Sequence, residues 1–154
     1  MTDIKGSKSL ITESHTIPAS FTIGFLGAGQ LAKMSAIEAY RLGIQVAAYT
    51  DRISHEPMHY MSPMVTTGSF EDLKAMTEFA QKCDVLTLEN EFIESSVLEQ
   101  VQINSGTPIY PSPEGFAKIE NKIVEKQCFE EAGIPVTPYK QIHDREDLKD
   151  FGNQ

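Results

Sequence analysis

The sequence is poor in cysteine, in positive charge and in long apolar runs, and each shortage excludes a class of protein. Cys83 and Cys128 are the only cysteines among 154 residues, so we expect no disulfide framework and favour a reducing cytoplasm. Lys and Arg number 13 against 22 Asp and Glu, a formal net charge of −9, which disfavours a broad electrostatic contact with nucleic acid or anionic lipid. No stretch approaches the roughly 18 apolar residues of a membrane span. Any phosphate binding must therefore be local.

The order of apolar runs predicts an α/β fold. Residues 1–20 lack the continuous apolar core of a signal peptide and are interpreted as a flexible N-terminal tail. From residue 21 to 112, short β-branched or aromatic runs alternate with helical patterns, as in βα units. We predict a Rossmann-like parallel sheet flanked by helices. The predicted strands are Thr22–Leu26, Gln45–Thr50, Met64–Thr67, Val85–Leu88 and Ile109–Tyr110.

Apolar spacing and capping residues predict the helices between these strands. The first is predicted to end at Gly43, the second to be capped by Ser69, and the third to begin with a capping box of Ser96 and Glu99. The apolar stripes of the three helices are, in order, Leu31, Met34 and Ile37; Phe70, Leu73, Met76 and Ala80; and Val97, Leu98 and Val101.

Residues 113–154 form a separate connecting segment in this interpretation. Ser112 is placed to cap a long helix that runs to about Ala132 and is closed by Gly133. A strand at Tyr139–Ile142 and a helix at Asp144–Phe151 are predicted to follow. Because one strand and one helix cannot bury both of their faces, we expect this segment to be the beginning of a second domain whose remainder is absent.

A glycine-rich turn follows the first predicted strand. Residues 27–32 match the pattern G-x-G-x-x-A at the start of a helix, where Gly27 permits a sharp turn and Gly29 lets a ligand phosphate approach the backbone. Asp51 lies just past the second strand, where a ribose-binding acid would lie. The pattern favours a phosphate-containing ligand. It leaves open an NAD(P)-binding or regulatory nucleotide-binding module, and a tight turn that binds nothing.

Two carboxylates and an amide follow the fourth predicted strand directly. Glu89, Asn90 and Glu91 stand at the carboxyl edge, where ligands of open α/β sheets bind. Glu89 and Glu91 would project together if the strand stayed extended. The alternative is a solvated, charged loop.

Other candidate groups give weaker patterns. The four histidines are scattered, and His55 and His59 are interpreted as loop residues without a metal. Lys118, Lys122 and Lys126 recur at helical spacing and would form a positive ridge, either solvated or in contact with nucleotide phosphates.

Four motifs together resemble the 5-(carboxyamino)imidazole ribonucleotide synthases, ATP-grasp ligases of purine biosynthesis. They are GAGQLAKM at 27–34, ENEF at 89–92, YPSP at 110–113, and EKQ at 125–127 followed by AGIPV at 132–136. The resemblance covers about residues 21 to 139. It implies a pre-ATP-grasp domain followed by the first elements of a truncated ATP-grasp domain.

The resemblance also implies ligands and contact residues. Gly29, Gln30, Leu31 and Glu89 carry over as substrate-binding residues, with Asn90 and Glu91 beside them, and Lys122 as an ATP contact. Family members use ATP and bicarbonate to carboxylate aminoimidazole ribonucleotide. We accordingly expect a homodimer at full length, magnesium held by residues that this chain lacks, no catalytic residue in this segment, and no turnover by these residues alone.

The sequence departs from the family pattern at three places. Ala28 stands where a glycine is usual and requires a negative φ. Asn90 and Phe92 have exchanged places relative to the usual Glu-Phe-Glu-Asn, and Lys122 replaces a common arginine, offering a point charge instead of a planar fork.

Overall fold

The structure, a computed structural model, describes residues 18, 20–53, 55–89 and 92–152. The predicted tail lies almost entirely outside the described residues, and so do Asn90 and Glu91.

Five parallel strands form one sheet, as the alternating pattern predicts. The strands are β1 Thr22–Leu26, β2 Gln45–Thr50, β3 Val65–Thr67, β4 Val85–Leu88 and β5 Ile109–Tyr110. Their order in the sheet is β3-β2-β1-β4-β5, and each neighbouring pair is parallel. Four strands have the predicted bounds, and β3 begins one residue later than predicted.

Helices cover both faces of the sheet. The helices are α1 Gln30–Arg41, α2 Leu73–Ala80, α3 Ser95–Ser105, α4 Pro113–Ala117, α5 Lys122–Glu131 and α6 Arg145–Gly152. On one face of the sheet, α1 and a short 3₁₀ helix (Pro57–Tyr60) pack on β1 and β2. On the other face, α2, α3 and α4 enclose a larger core that includes Tyr49, Phe79 and Leu98. None of these helices is long and apolar enough to cross a bilayer in the part of the chain that the structure describes.

The buried side of α1 differs from the predicted stripe. Leu31, Met34 and Ile37 are 61%, 56% and 41% exposed, respectively. The helix instead buries its small residues, Ala32, Ala36 and Ala39. These alanines also recur at helical spacing, and their short side chains fit an interface in which α1 lies close to β1 and β2. The prediction followed the large apolar residues and was wrong about which side faces the sheet. Gly43, with φ +75°, lies just past the end of α1 as expected.

Two helix beginnings also differ from the sequence prediction. The N-cap of α2 is Asp72, whose Oδ1 accepts from the Ala75 N–H at 3.0 Å, whereas Ser69 caps only the preceding turn. The predicted capping box of Ser96 and Glu99 does not form, and Glu94 is the N-cap residue of α3. Because the Asp72 carboxylate accepts from the Ala75 N–H, α2 begins about one turn later than the Ser69 prediction.

The predicted long helix after residue 112 is two helices. Ser112 caps α4 as expected, since its Oγ accepts from the Gly115 N–H at 3.1 Å. The helix then breaks, and Asn121 caps α5 by accepting from the Ile123 N–H at 2.9 Å. Gly133, with φ +72°, follows α5 as predicted. Residues 139–142, predicted as a strand, have no regular structure. The division of the chain near residue 112 stays a prediction.

Candidate functional site

The site lies where the chain leaves the carboxyl ends of β1 and β4. These strands are neighbours, but β1 leads into α1 on one face and β4 leads towards α3 on the other. The Gly27 N–H donates to the Tyr49 carbonyl at 2.8 Å, and the Glu89 N–H donates to the Leu26 carbonyl at 3.0 Å. Both loops are thus fixed at their bases. Such a divergence opens a crevice at the edge of the sheet.

The turn after β1 uses its first glycine for backbone conformation. Gly27 has φ +115°, a region that favours glycine. Ala28 is buried, and its carbonyl accepts from the Met58 N–H at 3.0 Å. Of the non-glycine residues that the structure describes, His55 alone has a positive φ. Ala28 therefore has the negative φ that an alanine requires at this position.

Gly29 is required for space and not for its torsion angles. Its φ of −80° and ψ of −159° are open to any residue. A Cβ atom at Gly29, however, would lie 2.5 Å from Oε1 of Glu89. The group that approaches this backbone is therefore the Glu89 carboxylate, where the sequence suggested a ligand phosphate. A carboxylate beside the first turn of α1 is also favoured by the positive end of the helix dipole.

A cleft of about 420 Å³ opens around this contact. That volume is typical of small-molecule sites. The loops after β1, β2, β3 and β4 all contribute to it. The lining residues are Gly27, Ala28, Gly29, Thr50, Asp51, Arg52, Glu56, Phe70, Glu89 and Phe92.

Acidic side chains predominate in the cleft. Asp51, Glu56 and Glu89 line it together with one cationic residue, Arg52. The Arg52 Nη1 lies 3.0 Å from Oε1 of Glu56, so this positive charge is partly neutralised within the cleft. Ionised carboxylates accept hydrogen bonds and do not donate them. The lining therefore suits a ligand that presents hydroxyl or amino groups.

The structure brings together some of the predicted site residues and leaves others apart. Gly29, Glu89 and Asp51 line the same cleft. Gln30 and Leu31 lie on the exposed first turn of α1, beside the cleft but not in its lining. Lys122, at the first position of α5, is exposed and 3.2 Å from Oε2 of Glu125, outside the lining of this cleft.

The predicted positive ridge is not continuous, because the helix breaks between its members. Lys118 follows α4, and its Nζ lies 3.9 Å from Glu114. Lys126 belongs to α5 and donates to the Thr137 hydroxyl at 3.0 Å. Each lysine, including Lys122, has its own local partner.

Four lining residues were missed by the sequence reasoning. Thr50 is the last residue of β2, Arg52 follows that strand, Phe70 follows β3, and Glu56 lies in the loop before the 3₁₀ helix. Their position at or beyond strand ends was the available signal, since parallel strands end at one edge of a sheet. The sequence does not show which of these loops fold over that edge.

A parallel sheet of this strand order, with its crevice above β1 and β4, defines a Rossmann-like α/β domain. Residues 20–120 match the family described as the ribonucleotide synthetase pre-ATP-grasp domain. The chain belongs to this family.

Relatives and solved structures agree with the family match. The chain is 38% identical over 119 residues to phosphoribosylaminoimidazole carboxylase of Ogataea methanolica, covering 76% of this chain and 22% of that protein. It is 32% identical over 130 residues to N5-carboxyaminoimidazole ribonucleotide synthase of Staphylococcus aureus strain MRSA252, covering 82% and 33%. N5-carboxyaminoimidazole synthase of Aspergillus clavatus, solved with ADP and 5-aminoimidazole ribonucleotide, superposes with a TM-score of 0.73 at 31% identity and covers 88% and 36%. The chain thus spans about a third of the length of these proteins or less.

Proposed function

We propose that this chain supplies the substrate-binding wall of an ATP-dependent ligase that carboxylates aminoimidazole ribonucleotide with bicarbonate in purine biosynthesis. The contact between Gly29 and Glu89 carries the proposal, because it joins the turn after β1 to the acidic end of β4 in one cleft. The Aspergillus clavatus relative, whose structure holds ADP and 5-aminoimidazole ribonucleotide, supports the choice of ligands.

The residues of this chain would bind and orient the ribonucleotide. Glu89 and Asp51 are two carboxylates of the cleft that can accept hydrogen bonds from ribose hydroxyls or from the amine, whereas Glu56 is paired with Arg52. Because Gly29 has no Cβ atom, the Glu89 carboxylate can lie against the backbone at this position. Gln30 and Leu31 would touch the ligand from the first turn of α1. Asn90 and Glu91 are proposed as substrate contacts from their sequence positions alone.

Lys122 is proposed to contact ATP. Its ammonium group now lies beside Glu125 at 3.2 Å and is otherwise exposed. A nucleotide phosphate could replace this carboxylate, and the exchange costs little because an exposed ion pair contributes only about 0–1 kcal/mol. The point charge of a lysine would give a less directional contact than an arginine.

The chemistry of the complete ligase is proposed from its relatives. ATP and bicarbonate would give carboxyphosphate, which releases CO₂ for capture by the exocyclic amine of the ribonucleotide. Among the described residues, no group of three or more His, Cys, Asp or Glu side chains is arranged to hold a metal. From the resemblance to the ligase family, we propose that magnesium is held by residues of the ligase outside this chain and that the residues here position substrate without catalysing.

A cytoplasmic homodimer is proposed for the full-length ligase. The exposed apolar side chains of α1, among them Met34 and Ile37, support an interface between subunits.

Calorimetric titration tests the proposed ligand. The chain should bind aminoimidazole ribonucleotide, and Glu89→Gln should weaken binding about tenfold, because a hydrogen bond to a charged group contributes about 1.5–3 kcal/mol. Glu99→Gln on the exposed surface of α3 is the matched control and should change nothing. Binding of NADH without a response to the ribonucleotide would instead identify an NAD-binding module. Substrate-dependent ATP hydrolysis by the isolated chain would contradict the non-catalytic role.

A further inference from the structure

The beginning of α3 is capped by a residue that is distant in sequence. The backbone N–H of Ser95 donates to Oε2 of Glu120 at 2.8 Å, and the Ser95 hydroxyl donates to Oε1 at 2.9 Å. One carboxylate thus accepts two hydrogen bonds from a single residue that is 25 positions away. The local N-cap residue, Glu94, makes no side-chain capping bond. Glu120 instead satisfies the first backbone amide of the helix, and its charge is favourable at this helix end.

This cap lies close in the chain to a residue that lines the cleft. Phe92, three residues before Ser95, belongs to the cleft lining. Between the two, Ile93 is buried in the larger core. Residues 92–95 are thus held at Ile93 by the core and at Ser95 by Glu120.

Glu120 is itself held in place by the connection that leads to α5. Its backbone N–H donates to the Phe116 carbonyl at 3.0 Å, and Phe116 is buried in the same core as Ile93. The next residue, Asn121, caps α5, whose first residue is Lys122. Glu120 thus joins the proposed ATP-contacting helix to residues 92–95 at the cleft.

We propose that Glu120 is a positioning residue: by capping α3 from the α4–α5 connection, its carboxylate holds residues 92–95, and with them the cleft residue Phe92, in the geometry that binds substrate. The inference rests on the proposed function. It concerns a residue outside the cleft lining, which acts through Ser95 and touches no ligand.

The variants Glu120→Ala and Glu120→Gln separate positioning from charge. Alanine removes both acceptors. Glutamine keeps an oxygen for the Ser95 N–H and an amide that can pair with its hydroxyl. Glu114→Ala is the control, because Glu114 is an exposed carboxylate of α4 that forms a 3.9 Å ion pair with Lys118. Ser95→Ala is a second probe that removes only one of the two hydrogen bonds.

Two measurements on the full chain give the readout. Hydrogen exchange of the amides at residues 95–97 should be faster in Glu120→Ala, and calorimetry should show about fivefold to tenfold weaker binding of aminoimidazole ribonucleotide. Glu120→Gln should restore most of both properties, Ser95→Ala should give an intermediate loss, and Glu114→Ala should match the wild type.

Each outcome decides between positioning and a purely structural role. Faster exchange with unchanged ribonucleotide affinity would overturn the inference, since Glu120 would then stabilise α3 without affecting the site. Unchanged exchange in Glu120→Ala would overturn it as well. If the wild type bound no ribonucleotide, the proposed function would fail and this inference with it. If the wild type binds the ribonucleotide and all the variants bind it with the same affinity, this inference fails while the proposed function stands.

Discussion

The same substitution at two glycines should give opposite results, because each glycine is required for a different reason. Gly29→Ala places a Cβ 2.5 Å from Oε1 of Glu89, at the edge of the cleft. Gly24→Ala places one 2.5 Å from Cδ2 of Leu86 and 2.6 Å from Sγ of Cys83, inside the core. Neither glycine has a positive φ, so the backbone accepts alanine at both positions.

The expected magnitudes follow from what each new methyl group meets. The Glu89 carboxylate is the end of a flexible side chain and can turn away. Alanine also lowers the conformational entropy of the unfolded chain. This stabilises the folded state by about 0.4–1 kcal/mol and offsets part of the cost of moving the carboxylate. We expect Gly29→Ala to change the free energy of unfolding by less than about 1 kcal/mol. Leu86 and Cys83 are buried and cannot move freely, so Gly24→Ala should cost about 1–3 kcal/mol by overpacking.

Thermal unfolding and calorimetric titration read the two effects separately. Gly24→Ala should lower Tm by roughly 2–4 °C for each kcal/mol lost and should leave ribonucleotide affinity unchanged at 20 °C. Gly29→Ala should keep Tm near the wild-type value and weaken ribonucleotide binding about tenfold or more, because the methyl group displaces Glu89 and occupies the cleft. Equal losses of Tm in the two variants, or wild-type affinity in Gly29→Ala, would refute this account of the glycines.

Two further predictions concern a buried thiol and assembly. Burial, with a smaller contribution from the Asp84 carboxylate, raises the pKa of Cys83 to about 12. The native thiol therefore keeps its proton where the unfolded thiol, with a pKa of about 8.5, has lost it, and this contribution to stability decreases as the pH rises from about 8.5 towards 12. A thiol reagent at pH 8.5 should label Cys128 alone in the native chain and both cysteines in guanidinium chloride; equal native reactivity would contradict the assignment. Sedimentation velocity of the full-length ligase should show a dimer that Met34→Lys on α1 weakens, and a monomer at micromolar concentration would exclude it.

Much of the fold could be predicted because it depends on local pattern. The bounds of β1, β2, β4 and β5 follow from short apolar runs that end at turn residues, and the order of βα units predicts a parallel sheet. The Ser112 cap and the glycines after α1 and α5 were predictable for the same reason, since each requirement involves only neighbouring residues.

The errors arose where two patterns competed within one segment. In α1, the larger apolar residues and the alanines both recur at helical spacing, and only the close packing on β1 and β2 decides for Ala32, Ala36 and Ala39. The break between α4 and α5 was missed because Asn121 resembles an ordinary helix-surface residue until its side chain caps the second helix.

The sequence by itself determined the parallel α/β class, the glycine turn after β1 and the carboxylate after β4, because each depends on residues close together in the chain. The tertiary structure alone decided that the Glu89 carboxylate approaches Gly29 and that Glu120 caps α3. Both contacts join residues more than twenty positions apart. Their geometry depends on strand order and helix packing, which no local pattern of residues specifies.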